Sequence, residues 1–285
     1  GDVSTSAGLD RFKKKFPDKY LDVGIAEQNM IGIGAGLASE GFDVFTTTFA
    51  PFQTIRCCEQ IKVNLGYMKQ KITMVGLASG LVLGTLGYTH CCIEDVGILR
   101  SIPNLTIISP ADSSEAVKAV IASLEHKNSV YIRLTGGANI DRIYDDDYSF
   151  KIGKSITLKK GKDISIFASG TMVKVALDCS TILNKNSINA EVVNMHTIKP
   201  VDTDKINESA KKSKLIVSIE EHNVIGGLGS AIAECLVGIK NSPEQIFFGI
   251  NDCYSEGGDY NFLKQKFNLT PDFISKEIIS KFKGA

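Results

Sequence analysis

The chain of 285 residues has no excess of charge of either sign. It contains 32 basic and 32 acidic residues, so its net charge is zero. Without a basic tail or stripe, it lacks the electrostatic footprint of a protein that binds nucleic acid or anionic membranes. Its apolar runs are shorter than the roughly 20 residues that span a bilayer, and no signal peptide is visible. These absences predict a globular, cytoplasmic protein whose partners include neither nucleic acid nor a membrane.

The motifs of several common enzyme classes are also missing. There is no P-loop, no G-x-S-x-G and no H-E-x-x-H. The seven cysteines include two vicinal pairs, Cys57-Cys58 and Cys91-Cys92, but neither pair has the spacing of a zinc or thioredoxin motif. This pattern favours reduced, buried cysteines of a cytosolic protein over a redox or metal role.

Apolar, β-branched runs alternate with helical stretches along the chain. Strands are predicted at 20–26, 43–49, 71–77, 106–109, 130–133, 164–168, 190–194, 214–219 and 245–249. Helices are predicted at 31–41, 51–65, 93–100, 113–125, 171–183 and 229–237. Because the strands are continuously apolar, they indicate parallel sheets covered on both faces. The predicted fold class is α/β, with two doubly wound domains, a mostly parallel sheet in each, and room for a mixed sheet in the smaller second domain.

A polar, non-periodic run interrupts the alternation at residues 141–148, which include three consecutive aspartates. The alternation restarts after it, and the chain length suits about two domains. We therefore predict a first domain at 1–140, a linker at 141–152 and a second domain at 153–285.

The strongest chemical signal lies at Glu27. This acid follows the predicted strand 20–26 and precedes a helix of small residues. A carboxylate at such a turn is expected to be buried, and burial favours the protonated form or demands a partner that shares a proton. Phe49 and Phe52 alone would indicate core packing. Together with Glu27 they could form apolar walls for a flat heterocycle, with the acid at a ring nitrogen.

Two further motifs lie in the second half. Gly226-Gly227-Leu228-Gly229 follows a strand and opens a helix, where backbone N–H groups could bind a phosphate. It is not a G-x-G-x-x-G, so a tight strand-to-helix turn is the favoured interpretation. The preceding Glu220-Glu221-His222 could pair an acid with a base, but we favour a polar sheet edge at a domain or subunit interface.

Several of these stretches together resemble the C-terminal half of transketolase, a thiamine-diphosphate enzyme, and the resemblance runs nearly end to end. It comprises a pyrimidine-binding domain followed by the transketolase C-terminal domain. The matching runs are Val23 to Met30, Thr47 to Phe52, Gly87 to His90, Arg100 to Asn104, Ile198 to Asp202, Glu220 to His222, and Gly257-Gly258.

The resemblance implies cofactor-binding residues. Glu27 would hydrogen-bond N1′ of the aminopyrimidine and promote the imino tautomer that accepts a proton from the thiazolium ring. Phe49 and Phe52 would pack on the pyrimidine, whereas Ile55 stands where the family commonly has a third aromatic residue. Asp2 matches an acid near the cofactor.

The resemblance also implies substrate-binding residues. Ser6 and Arg133 match groups that bind a sugar phosphate, and the arginine fork suits that anion. His90 matches a histidine that contacts substrate hydroxyls and assists proton transfer. Two family positions differ here: Leu86 replaces an acid that recognises the acceptor hydroxyl, and Ala78 replaces a phosphate-binding histidine. We infer an altered or less hydroxylated acceptor in a specialised sugar pathway.

The Gly-Asp-Gly…Asn motif that binds Mg²⁺ and diphosphate in such enzymes is missing; Gly1-Asp2-Val3 lacks its second glycine. A cation with diphosphate needs hard oxygen ligands. We therefore predict that a separate N-terminal subunit carries the diphosphate domain and most of the Mg²⁺ site, and that the two chains form a heterotetramer. The predicted activity is transfer of a two-carbon ketol unit between sugar phosphates.

Four alternatives remain open at this point, one of which is a plain nucleotide-binding α/β protein built on the turn at Gly226 to Gly229. Within the same cofactor class, the chain could belong to a deoxyxylulose-phosphate-synthase-like enzyme or be the beta subunit of a 2-oxo acid dehydrogenase. Both of these decarboxylate an oxo acid. A third alternative, from a different class, is a non-catalytic assembly or regulatory subunit.

Overall fold

The computed structural model describes residue 5, residues 7–137 and residues 140–284. Within them, ten strands form two five-stranded sheets. The strands are β1 (Val44–Phe49), β2 (Ile72–Ser79), β3 (Leu105–Ile108), β4 (Ser129–Thr135), β5 (Ile156–Lys159), β6 (Ile164–Ala168), β7 (Ala190–Asn194), β8 (Thr197–Lys199), β9 (Leu215–Asn223) and β10 (Glu244–Ile250).

Helices connect most of these strands. The α-helices of the described residues are α1 (Asp10–Lys15), α2 (Glu27–Ser39), α3 (Ala50–Gln53), α4 (Cys58–Gln60), α5 (Asp95–Arg100), α6 (Ser113–Glu125), α7 (Met172–Lys185), α8 (Thr203–Lys212), α9 (Leu228–Leu236), α10 (Tyr260–Lys266) and α11 (Pro271–Lys283). Short 3₁₀ turns lie at Pro17–Lys19 and Gly84–Leu86, and a π-helical segment lies at Ile61–Tyr67. The sequence prediction did not include β5, β8, α1, α8, α10 or α11.

The N-terminal sheet has the strand order β1-β2-β4-β3-β8. Its first four strands pair in parallel, and β8 adds an antiparallel edge. Because β8 comes long after the other four strands in sequence, it ties the later part of the chain to the first sheet. The predicted linker, residues 141–152, contains no helix or strand.

The C-terminal sheet has the order β10-β9-β6-β7-β5. Four strands run parallel, and β5 pairs antiparallel with β7. The predicted α/β class with mostly parallel sheets is confirmed, as is the mixed sheet of the second half. Among the described residues, no helix combines the length and apolar character needed to cross a membrane.

Local sequence rules account well for α6. Its bounds, Ser113–Glu125, are those predicted. The Asp112 side chain accepts a hydrogen bond from the Glu115 backbone N–H at 2.8 Å, which satisfies a donor that a helix start leaves unpaired.

The predicted strand at 20–26 is wrong. These residues form no strand, and Leu21 and Ile25 are 62% and 77% exposed. Gly24 has a φ of +71°, and its N–H binds the Asp22 carboxylate at 2.9 Å. This hydrogen bond between the Asp22 side chain and the backbone two residues later forms a local turn, and such turns compete with strand pairing. Glu27 therefore begins α2 after an exposed turn, not after a sheet strand.

The predicted helix at 51–65 is also broken. It is divided into α3, α4 and the π-helical segment. Thr54 is the C-cap of α3, and its hydroxyl donates to the Ala50 carbonyl at 2.6 Å. The chain turns between α3 and α4, and this turn places Arg56 and Cys57 beside the start of α2.

Two main hydrophobic clusters underlie the sheets. One joins α2 to the N-terminal sheet and includes Ile31, Ile72 and Tyr131. The other packs α7 and α11 on the C-terminal sheet, and it also contains Leu81 and Ile93 from the stretch that follows β2. The two halves of the chain thus share buried apolar side chains.

Candidate active site

Glu27 is the first residue of α2, and its side chain is only 5% exposed. The predicted burial of this acid is therefore confirmed, although the preceding segment is not the expected strand. Its Oε2 accepts a hydrogen bond from Arg56 Nη1 at 2.8 Å. An acid buried to this degree needs such a partner, because an unpaired carboxylate in a low-dielectric site is costly.

Arg56 also stacks on an aromatic ring. Its guanidinium carbon lies 4.0 Å from the ring centroid of Phe52, while the side chain remains 42% exposed. The guanidinium thus bridges the buried acid and the aromatic wall. Sequence reasoning missed Arg56. A four-residue Phe–Arg spacing is a weak signal, and the contact depends on the break between α3 and α4.

Three rings meet beside this ion pair. Phe49 ends β1, Phe52 lies on α3, and their centroids are 6.4 Å apart in an edge-on arrangement. The His90 ring lies 5.3 Å from Phe52 and 6.3 Å from Phe49. The structure therefore brings together residues that lie far apart in sequence. We call Glu27, Phe49, Phe52, Arg56 and His90 the Glu27 cluster.

His90 lies on the long connection between β2 and α5 and is half-buried. Its Nδ1 is 3.0 Å from the hydroxyl of Thr89. The imidazole faces the two phenylalanine rings, so a molecule seated against those rings would meet it.

The cysteines near the Glu27 cluster do not have the character of nucleophiles. Cys57 is fully buried, and its thiol donates to the Phe52 carbonyl at 3.1 Å. Burial, with the charge of Glu27 adding to it, raises the pKa of Cys57 to about 12. Burial likewise raises the pKa of Cys91 to about 11 and that of Cys92 well above its usual value. These three are protonated, buried thiols, as the sequence interpretation favoured.

Arg133 does not lie at an open surface. It is 2% exposed, and its Nε donates to both oxygens of Asp95, at 2.8 and 3.0 Å. Its Nη2 donates to the backbone carbonyls of Cys92 and Glu221. Asp95, which the sequence analysis did not single out, also accepts from the Tyr131 hydroxyl at 2.7 Å. The assignment of Arg133 to a sugar phosphate stays a prediction, and this guanidinium is already bound by an internal carboxylate.

Other residues named from the sequence are placed less centrally. Asp2 and Ser6 lie outside the described residues. Ile55 and Leu86 are exposed, at 40% and 56%, and Ala78 is half-buried. Leu86 thus presents an apolar side chain to solvent on the connection that carries His90.

The glycine-rich turn before α9 is a strand-to-helix turn, as predicted. The Glu220 carboxylate accepts from the backbone N–H groups of Leu228 and Gly229, at 2.6 and 2.8 Å. The carboxyl group of Glu220 therefore occupies the helix N-terminus that a phosphate could have used. Burial raises the pKa of Glu220 to about 7, although these N–H groups oppose the shift.

Comparison with known families agrees with this geometry. The model of the transketolase pyrimidine binding domain matches residues 1–138, and that of the transketolase C-terminal domain matches residues 153–274. The chain belongs to the transketolase family. Membership implies dependence on thiamine diphosphate.

Individual relatives indicate which kind of transketolase the chain is similar to. The chain is 40% identical to the 6-deoxy-6-sulfo-D-fructose transketolase subunit SqwH of Clostridium sp., over 98% of this chain and 84% of that protein. It is 37% identical to an apulose-4-phosphate transketolase subunit of Phocaeicola vulgatus, over 96% and 88% of the two chains. A solved structure described as a split gene transketolase, inactive beta4 tetramer, superposes with a TM-score of 0.91 at 34% identity, covering 99% of this chain and 90% of that one.

These relatives are subunits, and this chain spans most of the length of each. It corresponds to the C-terminal subunit of a split transketolase-like enzyme, which is a transferase.

Proposed function

We propose that this chain supplies the pyrimidine side of a thiamine-diphosphate site in a two-chain enzyme that transfers a two-carbon ketol unit between sugar phosphates. The observation that carries the proposal is the Glu27 cluster, in which a buried carboxyl group, two phenylalanine rings and an imidazole converge. When bound, the cofactor supplies the carbon that accepts and releases the ketol unit.

The residues present fit an aminopyrimidine. Glu27 offers a carboxyl group at the edge of an aromatic wall, where it can hold a proton at a ring nitrogen. Phe49 and Phe52 offer apolar contact area for a flat ring. Arg56 binds one oxygen of Glu27, Oε2, at 2.8 Å, so a ring nitrogen that approached this oxygen would compete with Arg56 for Glu27.

His90 is the proposed proton-transfer residue toward the substrate. Its imidazole faces the rings on which the cofactor would rest, and histidine exchanges protons with hydroxyl groups near neutral pH. We propose that it binds substrate hydroxyls and moves a proton to or from them.

We further propose that the diphosphate and Mg²⁺ are held by a separate N-terminal subunit, which joins this chain in a heterotetramer. The described part of this chain contains no group of three or more His, Cys, Asp or Glu side chains placed to hold a metal. The relative described as an inactive beta4 tetramer supports the same idea, because that assembly contains one kind of subunit and is named inactive. We keep Asp2 as a contributor from this chain.

For the substrate we propose a specialised sugar phosphate. Leu86 and Ala78 replace polar family residues, and two relatives are named for a sulfofructose and for apulose 4-phosphate. Ser6 remains the proposed phosphate ligand on this chain. For Arg133, the ion pair with Asp95 supports a structural contribution at least as well as a phosphate contact.

The compartment that we propose is the cytoplasm. All seven cysteines are unpaired, and free thiols are typical of a reducing compartment.

The proposal is tested with the variant Glu27→Gln in the complex with its partner subunit. Gln cannot share its side-chain proton as a carboxyl group does, so ketol transfer from a ketose to an aldose should fall by at least about 1000-fold. Glu40→Gln is the control, because Glu40 is the exposed C-cap of the same helix and its variant should keep full activity.

Near-normal turnover of Glu27→Gln would overturn the mechanism. Release of CO₂ from pyruvate by the wild-type complex would instead favour a synthase or an oxo acid dehydrogenase. Cofactor binding without transfer from any ketose would favour a non-catalytic subunit.

A further inference from the structure

His90 is carried by a closed loop, residues 80–92, which we call the His90 loop. Its two ends pair with each other: the Gly80 N–H donates to the Cys92 carbonyl at 2.8 Å, and the Cys92 N–H donates to the Gly80 carbonyl at 2.9 Å. The loop leaves the N-terminal sheet after β2. The direction of His90 therefore depends on what this loop packs against.

Both ends of the loop enter the hydrophobic core of the C-terminal part of the chain. Leu81 and the adjoining Ile93 are 0% and 1% exposed. They belong to the cluster formed by residues of β6, α7, β9 and α11. The loop is thus anchored in the core of the C-terminal part.

Glu221, on β9, makes the polar part of this anchor and is 2% exposed. Its Oε1 accepts from the Leu81 N–H at 2.8 Å. Its Oε2 accepts from the hydroxyls of Tyr260 and Thr171, at 2.5 and 2.9 Å. One carboxylate therefore joins the start of the loop to α10 and to the N-cap residue of α7.

At the start of the loop, the space beside Gly80 is too small for a side chain. A Cβ on Gly80 would lie 2.2 Å from Glu221 Oε1, and the φ of this glycine is +73°. Both the space and the backbone conformation require glycine there. The loop start can approach the carboxylate this closely only because position 80 has no side chain.

A second set of contacts fixes the middle of the loop. The Gly258 N–H donates to the Gly84 carbonyl at 3.0 Å. The Tyr88 hydroxyl lies 3.2 Å from that of Ser255, and its ring lies 4.8 Å from the ring of Tyr254. These contacts reach the loop at positions 84 and 88, and His90 follows two residues later.

We propose that Glu221 and Tyr260 are positioning residues, which act through the His90 loop to set the imidazole against Phe49 and Phe52. A residue that moves a proton must be placed closely, since a displacement of about 1 Å can cost about 100-fold in rate. The C-terminal part of the chain would thereby determine the geometry of a site on the N-terminal part. The catalytic consequence rests on the proposed function; the anchoring itself does not.

The anchoring is tested on the isolated chain by amide hydrogen exchange of the peptide that spans residues 81–91. Tyr260→Phe removes one hydrogen bond to Glu221 and should speed exchange in this peptide by about tenfold. Tyr144→Phe is the control, because the hydroxyl of Tyr144, like that of Tyr260, donates to a buried glutamate, in this case Glu115 at 3.1 Å. Unchanged exchange in Tyr260→Phe, or an equal increase in Tyr144→Phe, would overturn the proposal.

The catalytic consequence is tested in the complex by a double-mutant cycle. Glu221→Gln should lower kcat by about tenfold or more and should cause little further loss in a His90→Ala background. An equal loss in both backgrounds would show that Glu221 acts on the whole fold and not through His90. If the wild-type complex shows no ketol transfer, the proposed function fails, and the exchange experiment still decides the anchoring.

Discussion

Glu191 provides a stability prediction that is independent of the proposed chemistry. It lies on β7 with a side chain that is 1% exposed. Its Oε1 accepts from Lys205 and Lys212, at 2.8 and 2.9 Å, and its Oε2 accepts from Ser165 and Ser209, at 2.7 and 2.8 Å. Burial by itself would raise the pKa of Glu191, but these hydrogen bonds outweigh it and hold the pKa at about 2.

The lowered pKa of Glu191 determines how much this residue contributes to the free energy of unfolding and the pH range over which that contribution is lost. The ordinary value is 4.5, and each unit of difference corresponds to about 1.4 kcal/mol of stability, so Glu191 contributes on the order of 3 kcal/mol at pH 7. Because the folded-state pKa is lowered, this stability is fully present above the unfolded value and is lost as the pH falls from 4.5 toward 2. By the same linkage relation it should be about 2 kcal/mol near pH 3.5.

The measurement is urea unfolding of wild type and Glu191→Gln at several pH values. The variant should lose about 3 kcal/mol of unfolding free energy at pH 7. Below pH 4.5, the difference in unfolding free energy between wild type and variant should become smaller. Glu208→Gln is the control, since Glu208 pairs with the same two lysines but is 59% exposed; exposed pairs are worth about 1 kcal/mol or less. The reasoning is refuted if Glu191→Gln costs no more than the control or if the difference does not change with pH.

Two further predictions concern Arg56, in the Glu27 cluster, and Cys57, which lies near this cluster. Arg56→Gln should lower the free energy of unfolding by on the order of 1 to 3 kcal/mol, because it leaves the buried Glu27 carboxylate without its ion-pair partner. It should tighten thiamine diphosphate binding to the complex by about twofold to fivefold, because Glu27 is released; weaker binding measured by titration calorimetry would contradict this competition. Cys57, with a pKa of about 12, should react with iodoacetamide at pH 8 at least about 100-fold more slowly than the exposed Cys253, and equal rates by mass spectrometry would refute its burial.

Short-range sequence determines the elements whose signals are local. The helix α6 and the strand β7 have the bounds predicted for them, because a capping aspartate begins α6 and a continuous apolar run forms β7. The predicted strand at 20–26 failed because Asp22 and Gly24 make a local turn that an apolar pattern does not reveal. The helix at 51–65 failed because the chain turns after Thr54 and becomes π-helical from Ile61, which periodicity cannot detect.

The sequence by itself determined that the chain is an α/β protein of the transketolase type and that Glu27, with Phe49 and Phe52, is its most informative group. The burial of Glu27 was predicted from its place between the predicted strand 20–26 and a helix of small residues; the burial and the helix are present, whereas the strand is not. The sequence could not assign Arg56 to Glu27, because that ion pair depends on a helix break.

Only the tertiary structure decided how the His90 loop is held. Leu81 and Glu221 are separated by 140 residues, yet they share a hydrogen bond of 2.8 Å. Arg133 likewise reaches the backbone of Glu221 at 3.0 Å and binds Asp95 within the core. No periodicity or spacing encodes such pairs, because the packing of two sheets creates them. The physical reason is that a buried charge takes whichever partner the fold brings within hydrogen-bonding distance.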